Sequence, residues 1–357
     1  MIRKVLLSDI CSYVNCKTPV EQIQLVDYVS TENLLQNKGG LSVANKLPSG
    51  KVTVFQAGDV LVSNIRPYFK KIWLADRPGG ASNDVLVFRK LNDNVYEKYL
   101  YYILADDRFF AFSTASASGS KMPRGDKAQI MNYSVKLPPL EAQKKIANIL
   151  SSLDKKIELN RRMNETLEQL GQALFRHYFV DNPDAKNWKK RSLGEFFPVK
   201  TGKKDANFGT KDGKFPFFTC AQTISRAPSY SFDGSAILIA GNGDFNIKYY
   251  TGKFEAYQRT YVLILHNEEL LGFLYFLMKK DLSLITGGSR GSVIKFITKG
   301  MIENYRVELP DDNDLAAFAP IFSELLALIS HINEQIQTLA ALRDILLPKL
   351  ISGEIEA

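Results

Sequence analysis

Apolar residues near the middle of the chain recur on alternating steps of three and four. Ile146, Leu150, Leu153, Ile157, Leu167, Leu174 and Tyr178 form the stripe, and Asn160, Asn164 and Gly171 take its remaining positions. Such spacing is the seam of a helix that buries one narrow face against another helix. Pro138 and Pro139 precede Leu140, where proline suits a helix start, and no proline interrupts the run to Val180. The pattern predicts one helix over residues 138–180, roughly 60 Å long at about 1.5 Å per residue.

The same stripe returns over residues 310–357 as Phe318, Phe322, Leu325, Ile329, Ile332, Ile336, Leu339, Leu346 and Leu350, with Arg343 its single charged member. The two stripes superpose without a gap at an offset of 172 residues, Ile146 on Phe318. Helical periodicity alone would not align residues upstream, yet Asn132-Tyr133 falls on Asn304-Tyr305, Leu137-Pro138 on Leu309-Pro310 and Gly119-Ser120 on Gly291-Ser292. The chain therefore reads as a tandem duplication of a globular domain plus a long helix.

Residues 1–137 form the first globular domain. Short β-branched runs, Val52 to Phe55, Val60 to Ser63, Ile72 to Ala75 and Val85 to Phe88, are separated by Gly and Pro turn signals and followed by a helix from Tyr96 to Ala105. A polar connection over 181–190 leads to the second domain, 191–309, with strands at Ala236 to Ile239 and Tyr261 to Leu265 and a helix from Glu268 to Lys279. The predicted fold is α+β: two mixed, strand-rich domains joined by two long helices. Such units close most simply about a pseudo-twofold axis, with the helices antiparallel as a coiled coil.

Composition adds a partner class. The formal charge is +8, with 45% hydrophobic residues, which suits sizeable cores and favours a polyanionic partner. The three cysteines, Cys11, Cys16 and Cys220, lack C-x-x-C spacing, and reduced thiols are a better reading than a metal site. The opening MIRKVLLSDICSYV lacks a signal-peptide core, and no eighteen consecutive apolar residues occur. The expectation is a soluble, cytoplasmic protein without a membrane partner.

Candidate contacts to nucleic acid lie in loops. In the first domain these are Arg66, Lys70 and Lys71 after the Val60 strand, and Lys121, Arg124 and Lys127 in the small, glycine-rich stretch 116–129. The second domain offers Lys203 and Lys204, then Asn242, Asn246 and Lys248 where the first domain has its loop after the Val60 strand, then Arg290 and Lys295 in a second Gly/Ser-rich loop. Cations and backbone amides suit phosphate, whereas Arg, Asn and Gln read base edges. Two similar scaffolds with different polar side chains would read two different sequences, although loops also drift after duplication.

Catalytic motifs are weak. There is no glycine-rich cofactor loop and no N/D-P-P-aromatic motif of an amino methyltransferase. Gly209 to Lys214 has the wrong spacing for a phosphate-binding loop, with Phe215 where Ser or Thr would hold magnesium. A nuclease site drawn from Asp184, Asp212 and Lys214 rests on a short chance-prone motif. An autonomous endonuclease or a fused methyltransferase is the alternative reading, and a coiled-coil scaffold without a nucleic-acid role is a third.

LPPLEAQKKIANILSSLDKKIELN, from Leu137 to Asn160, followed by LEQLGQALFRHYFVD, from Leu167 to Asp181, resembles the central conserved region of specificity subunits of type I restriction-modification systems. Leu342 to Ile355 is similar to that family's C-terminal signature. The resemblance implies a non-catalytic subunit whose two target-recognition domains each read one half of a bipartite site in double-stranded DNA, the helices setting the spacer. It implies two modification subunits as partners, which carry S-adenosylmethionine, and restriction subunits using ATP and magnesium where present; this chain itself would hold no cofactor or metal. The second junction, Leu309 to Asp314, departs from Leu137 to Gln143, so the two junctions need not dock the modification subunit alike.

Overall fold

The computed structural model describes residues 3–210, 212–243, 245–287 and 295–357. The chain divides into two compact units, residues 1–159 with 336–357, and residues 160–335. Each unit closes the ends of its globular domain with a two-stranded antiparallel ribbon, Arg3–Leu6 with Ser134–Leu137 in the first and Lys189–Ser192 with Arg306–Leu309 in the second. The second ribbon starts at Lys189, inside the stretch read above as connection, because its backbone pairs with Leu309. A 3-10 turn follows each ribbon strand, Leu7–Asp9 and Leu193–Glu195, with its leucine fully buried. The Asp9 carboxylate accepts from the Leu6 amide at 2.8 Å, and Glu195 accepts from Ser192 at 2.9 Å.

The central sheets match in order. In the first unit the strands run Cys11–Tyr13, Val85–Lys90, Val60–Ser63, Ile72–Leu74; in the second, Val199–Thr201, Thr260–Ile264, Phe232–Ala240, Ile247–Ala256. The second continues through Phe215–Phe218 to Ser225–Ala227, whereas the first unit forms a separate four-stranded sheet, Lys17–Pro19, Lys51–Phe55, Gly79–Ala81, Tyr28–Val29. Val60 to Val62 and Ala236 to Ala240 are apolar without a break because both faces of these strands are covered there. Side chains alternate across a strand, so Val60 and Val62 join one core and Leu61 another, just as Ile237 and Ile239 separate from Ala236 and Leu238.

The long helices are Leu140–Phe175 and Asp312–Ser352. In the first unit Ile146, Ala147 and Leu150 share a core with Leu347, Leu350 and Ile351, and Asp154 meets Arg343 at 2.8 Å. In the second, Asn160 donates to the Gln335 side chain at 3.1 Å, Asn164 to Asn333 at 2.8 Å, and the Tyr178 ring lies 4.8 Å from Phe318. Partner numbers on the second helix fall as those on the first rise. Every seam residue is buried or half-buried: Ile146, Leu150, Ile157, Phe322, Ile329, Ile332 and Leu350 are buried, and Leu153, Leu167, Leu174, Leu325, Ile336, Leu339 and Leu346 are half-buried. Asn160 is 1% exposed, so its amide faces the neighbouring helix rather than solvent. The second helix is long and apolar enough, by length and composition, to cross a membrane. Here its apolar stripe faces protein, as the burial of Phe322, Leu326 and Ile329 in the second core shows.

Candidate nucleic-acid interface

In each unit the chain leaves the central strand into a short loop held on both sides by backbone hydrogen bonds. In the first, the Asn64 amide donates to the Asp84 carbonyl at 2.8 Å, Arg66 to Pro123 at 2.8 Å, and Gly125 back to Asn64 at 3.3 Å. In the second, Gly241 donates to Arg259 at 2.8 Å, Gly243 to Lys295 at 3.1 Å, and Ile297 to Gly241 at 3.0 Å. The donors and acceptors correspond one for one, and the 123–125 and 295–297 segments stand at the same offset of 172. Isolated antiparallel bridges fall at the centre of each frame, Ile65 with Arg124 and Asn242 with Phe296. Gly241 permits the approach: a Cβ there would lie 2.5 Å from the Arg259 carbonyl oxygen.

These frames collect part of the candidate set. Lys121, Arg124 and Lys127 are exposed around the first; Lys127 opens the short helix Lys127–Met131, whose first amides donate to the Asp126 carboxylate. The Arg124 guanidinium meets Asp84 at 3.1 Å. In the second, half-buried Asn242 and exposed Lys295 sit in the frame itself, and Lys203 is exposed. Lys204 accepts through its carbonyl from the Gln258 amide at 2.8 Å, beside Arg259, and its ammonium lies 4.6 Å from the Phe208 ring centroid. Arg290 lies outside the described residues.

Other candidates are already engaged by groups of the protein. Arg66, at φ +49°, donates to the Lys121 carbonyl at 3.2 Å and lies 6.0 Å from the Phe69 ring, so it braces the neighbouring loop. Lys70 pairs with Asp107 at 2.6 Å, and Lys71 donates to the Thr31 carbonyl. Asn246 donates to the Cys220 carbonyl at 2.8 Å, and Lys248 donates to Asn246 Oδ1 and to the Ala221 carbonyl at 2.7 Å. Burial holds the Lys71 and Lys248 ammonium groups below the ordinary lysine value. An ammonium already donating to carbonyls under a loop is poorly placed for phosphate. The Cys220 thiol in turn donates to Asn242 Oδ1 at 2.9 Å, so this network positions Asn242.

Among the described residues, no group of three or more His, Cys, Asp or Glu could hold a metal ion. The family described as the type I restriction modification DNA specificity domain matches residues 3–169 and 185–339, one stretch in each repeat. The chain belongs to this family. It is 45% identical over 175 residues to the EcoDI specificity subunit of Escherichia coli, covering 47% of this chain and 39% of that protein. It is 23% identical over 373 residues to the MjaIX specificity subunit of Methanocaldococcus jannaschii, covering 92% and 85%. The crystal structure of the type I restriction-modification S subunit from M. genitalium shares its fold, with a TM-score of 0.57 at 18% identity over 98% of this chain and 96% of that one. In this specificity-family chain, sequence reasoning passed over Asp84, Arg259 and Phe296, which the frames bring beside Arg124 and Asn242. For Phe296 a signal existed, since the offset places it on Arg124.

Proposed function

We propose that this chain is the DNA-reading subunit of a type I restriction-modification complex, each globular domain reading one half of a bipartite site. The observation that carries the reading is one backbone frame built twice with different exposed side chains. Lys121, Arg124 and Lys127 serve the first half-site, and Lys203, Lys204, Asn242, Arg290 and Lys295 the second. The two long helices form one antiparallel coiled coil about a pseudo-twofold axis; it sets the spacer and docks two modification subunits. Support comes from the falling order of helix partners and from ion pairs and aromatic contacts at its two halves. The chain carries no chemistry of its own. S-adenosylmethionine belongs to the modification subunits, and ATP with magnesium to a restriction subunit where one joins.

The test is the pattern of methylated adenines in cells carrying the modification subunit with and without this chain. A bipartite motif that appears only with the chain is expected; methylation independent of it, or turnover by the purified chain alone, overturns the reading. Deleting the heptad Asn160 to Thr166 shortens the first helix by roughly 10 Å and is expected to change the preferred spacer.

A further inference from the structure

The two frames have the same backbone bonds but exchange chemistry at three positions. The loop residue is Ile65 in the first and Asn242 in the second; the residue before the next strand is Asp84 or Arg259; the residue opposite the loop is Arg124 or Phe296. We infer that the position opposite the loop reads a base, that Arg124 there reads a guanine in the first half-site, and that Phe296 contacts a thymine methyl in the second. The inference rests on the proposal that these loops face DNA.

The charges around Arg124 distinguish a base from a phosphate. Its Nε and Nη2 both lie 3.1 Å from Asp84 Oδ1, which anchors one edge of the guanidinium and leaves the Nη1 donors unengaged by that carboxylate. An aspartate at this distance repels a phosphate, whereas guanine is neutral and offers N7 and O6 as paired acceptors in the major groove. Fixing the fork in advance also reduces the rotamer freedom lost on binding. Phe296 has neither donor nor acceptor, and it is 39% exposed at the place Arg124 occupies in the other frame. The apolar feature a base pair presents in the major groove is the thymine C5 methyl. Arg259 takes the place of Asp84, so the second frame puts a cation where the first has an anion, and Arg259 is assigned to a phosphate.

The experiment uses the chain together with its modification subunit, reading the genomic methylation motif and competition binding on duplexes altered one base pair at a time. Arg124→Ala is expected to reduce discrimination by about 10- to 100-fold at one G·C pair of the first half-site and to leave the second intact. Asp84→Asn relaxes that same pair by a smaller factor. Phe296→Ala relaxes one A·T pair of the second half-site and Phe296→Leu retains it, while Arg259→Ala weakens all sites alike and lowers the salt dependence by about one counterion. Should Arg124→Ala not assemble, Arg124→Lys keeps the charge, loses the fork and reads the same position. Uniform weakening by Arg124→Ala, or a first half-site without a G·C pair at the affected position, overturns the inference. Lys121→Ala, Lys203→Ala and Lys295→Ala separate the two levels. If they weaken binding while the Arg124 and Phe296 variants leave the motif unchanged, only the base assignment falls; if none of them matters, the loops do not face DNA.

Discussion

Both globular domains meet the long helices through an apolar core, and each adds a different contact to it. In the first unit the contact is charged: Arg343, its side chain 8% exposed, bridges Asp154 at 2.8 Å and Asp344 at 3.0 Å, and Tyr102 donates to Asp154 at 2.6 Å. Lys38 joins Asp107 of the domain at 3.0 Å to Asp344 of the helix at 3.2 Å, and Arg108 donates to the Pro348 carbonyl at 3.2 Å. In the second unit the contact is aromatic, with Phe175, Phe179, Phe273, Phe276 and Phe322 packed edge to face or tilted against one another. Arg343 and Gly171 occupy the same seam position, one presenting a guanidinium and the other no side chain, so that the Phe276 ring fits against the helix backbone. One position of the duplicated seam thus holds either a paired charge or the space a ring fills. Burial opposes the Arg343 charge, but Asp154 and Asp344 outweigh it and hold the guanidinium above its ordinary value. The Tyr102 hydroxyl is raised by burial and by the Asp154 carboxylate.

Substitutions that exchange these two chemistries sharpen the contrast. Phe276→Ala is expected to have the largest effect, about 4 kcal/mol lost from the second unit as a cavity opens, read as a fall in unfolding midpoint. Asp154→Ala should cost about 3 kcal/mol in the first unit, because Arg343 keeps its burial and loses its main partner. Replacing both as Asp154→Leu with Arg343→Met should restore most of that loss; a double variant as unstable as the single would mean the charges do more than pair. Gly171→Ala is expected to cost about 2 kcal/mol, since its Cβ would lie 2.2 Å from the Phe276 ring. The smallest effect belongs to Asp107→Asn. Although burial raises the Asp107 carboxyl, Lys70 and Lys38 hold it below its ordinary value. A depressed folded value stabilises above the unfolded carboxylate value, and the contribution is lost as pH falls through the folded one. The melting difference from the parent should therefore be present at neutral pH and close below about pH 4. A difference independent of pH would deny the lysines that role.

Some of the candidate interface was legible and some was not, and distance along the chain to a residue's partner separates the two. The loops after Val60 and around 116–129 and 295 were found from composition and charge; the first two meet in one frame, and the segment at 295 meets the Gly241 loop in the other. Lys70, Lys71, Asn246 and Lys248 were offered to DNA as well, yet they end on Asp107, Thr31, Cys220 and Ala221. Those partners stand 26 to 40 residues away in the chain, so no local pattern announces them. A lysine in a loop reads the same in sequence whether a carbonyl or solvent receives it. Phe296 was passed over because an aromatic residue in a loop ordinarily seeks the core.

The duplication, the two long helices, the apolar seam and the family all follow from the sequence. They depend on spacing along one chain: helical periodicity, turn residues and a constant offset are local properties that a sequence carries in full. Tertiary structure alone decided which cations stay outside, that Asn160 turns toward Gln335, and that Arg124 and Phe296 occupy one position of a shared frame. Each of those outcomes depends on which distant backbone or carboxylate arrives within about 3 Å, a distance that only folding sets.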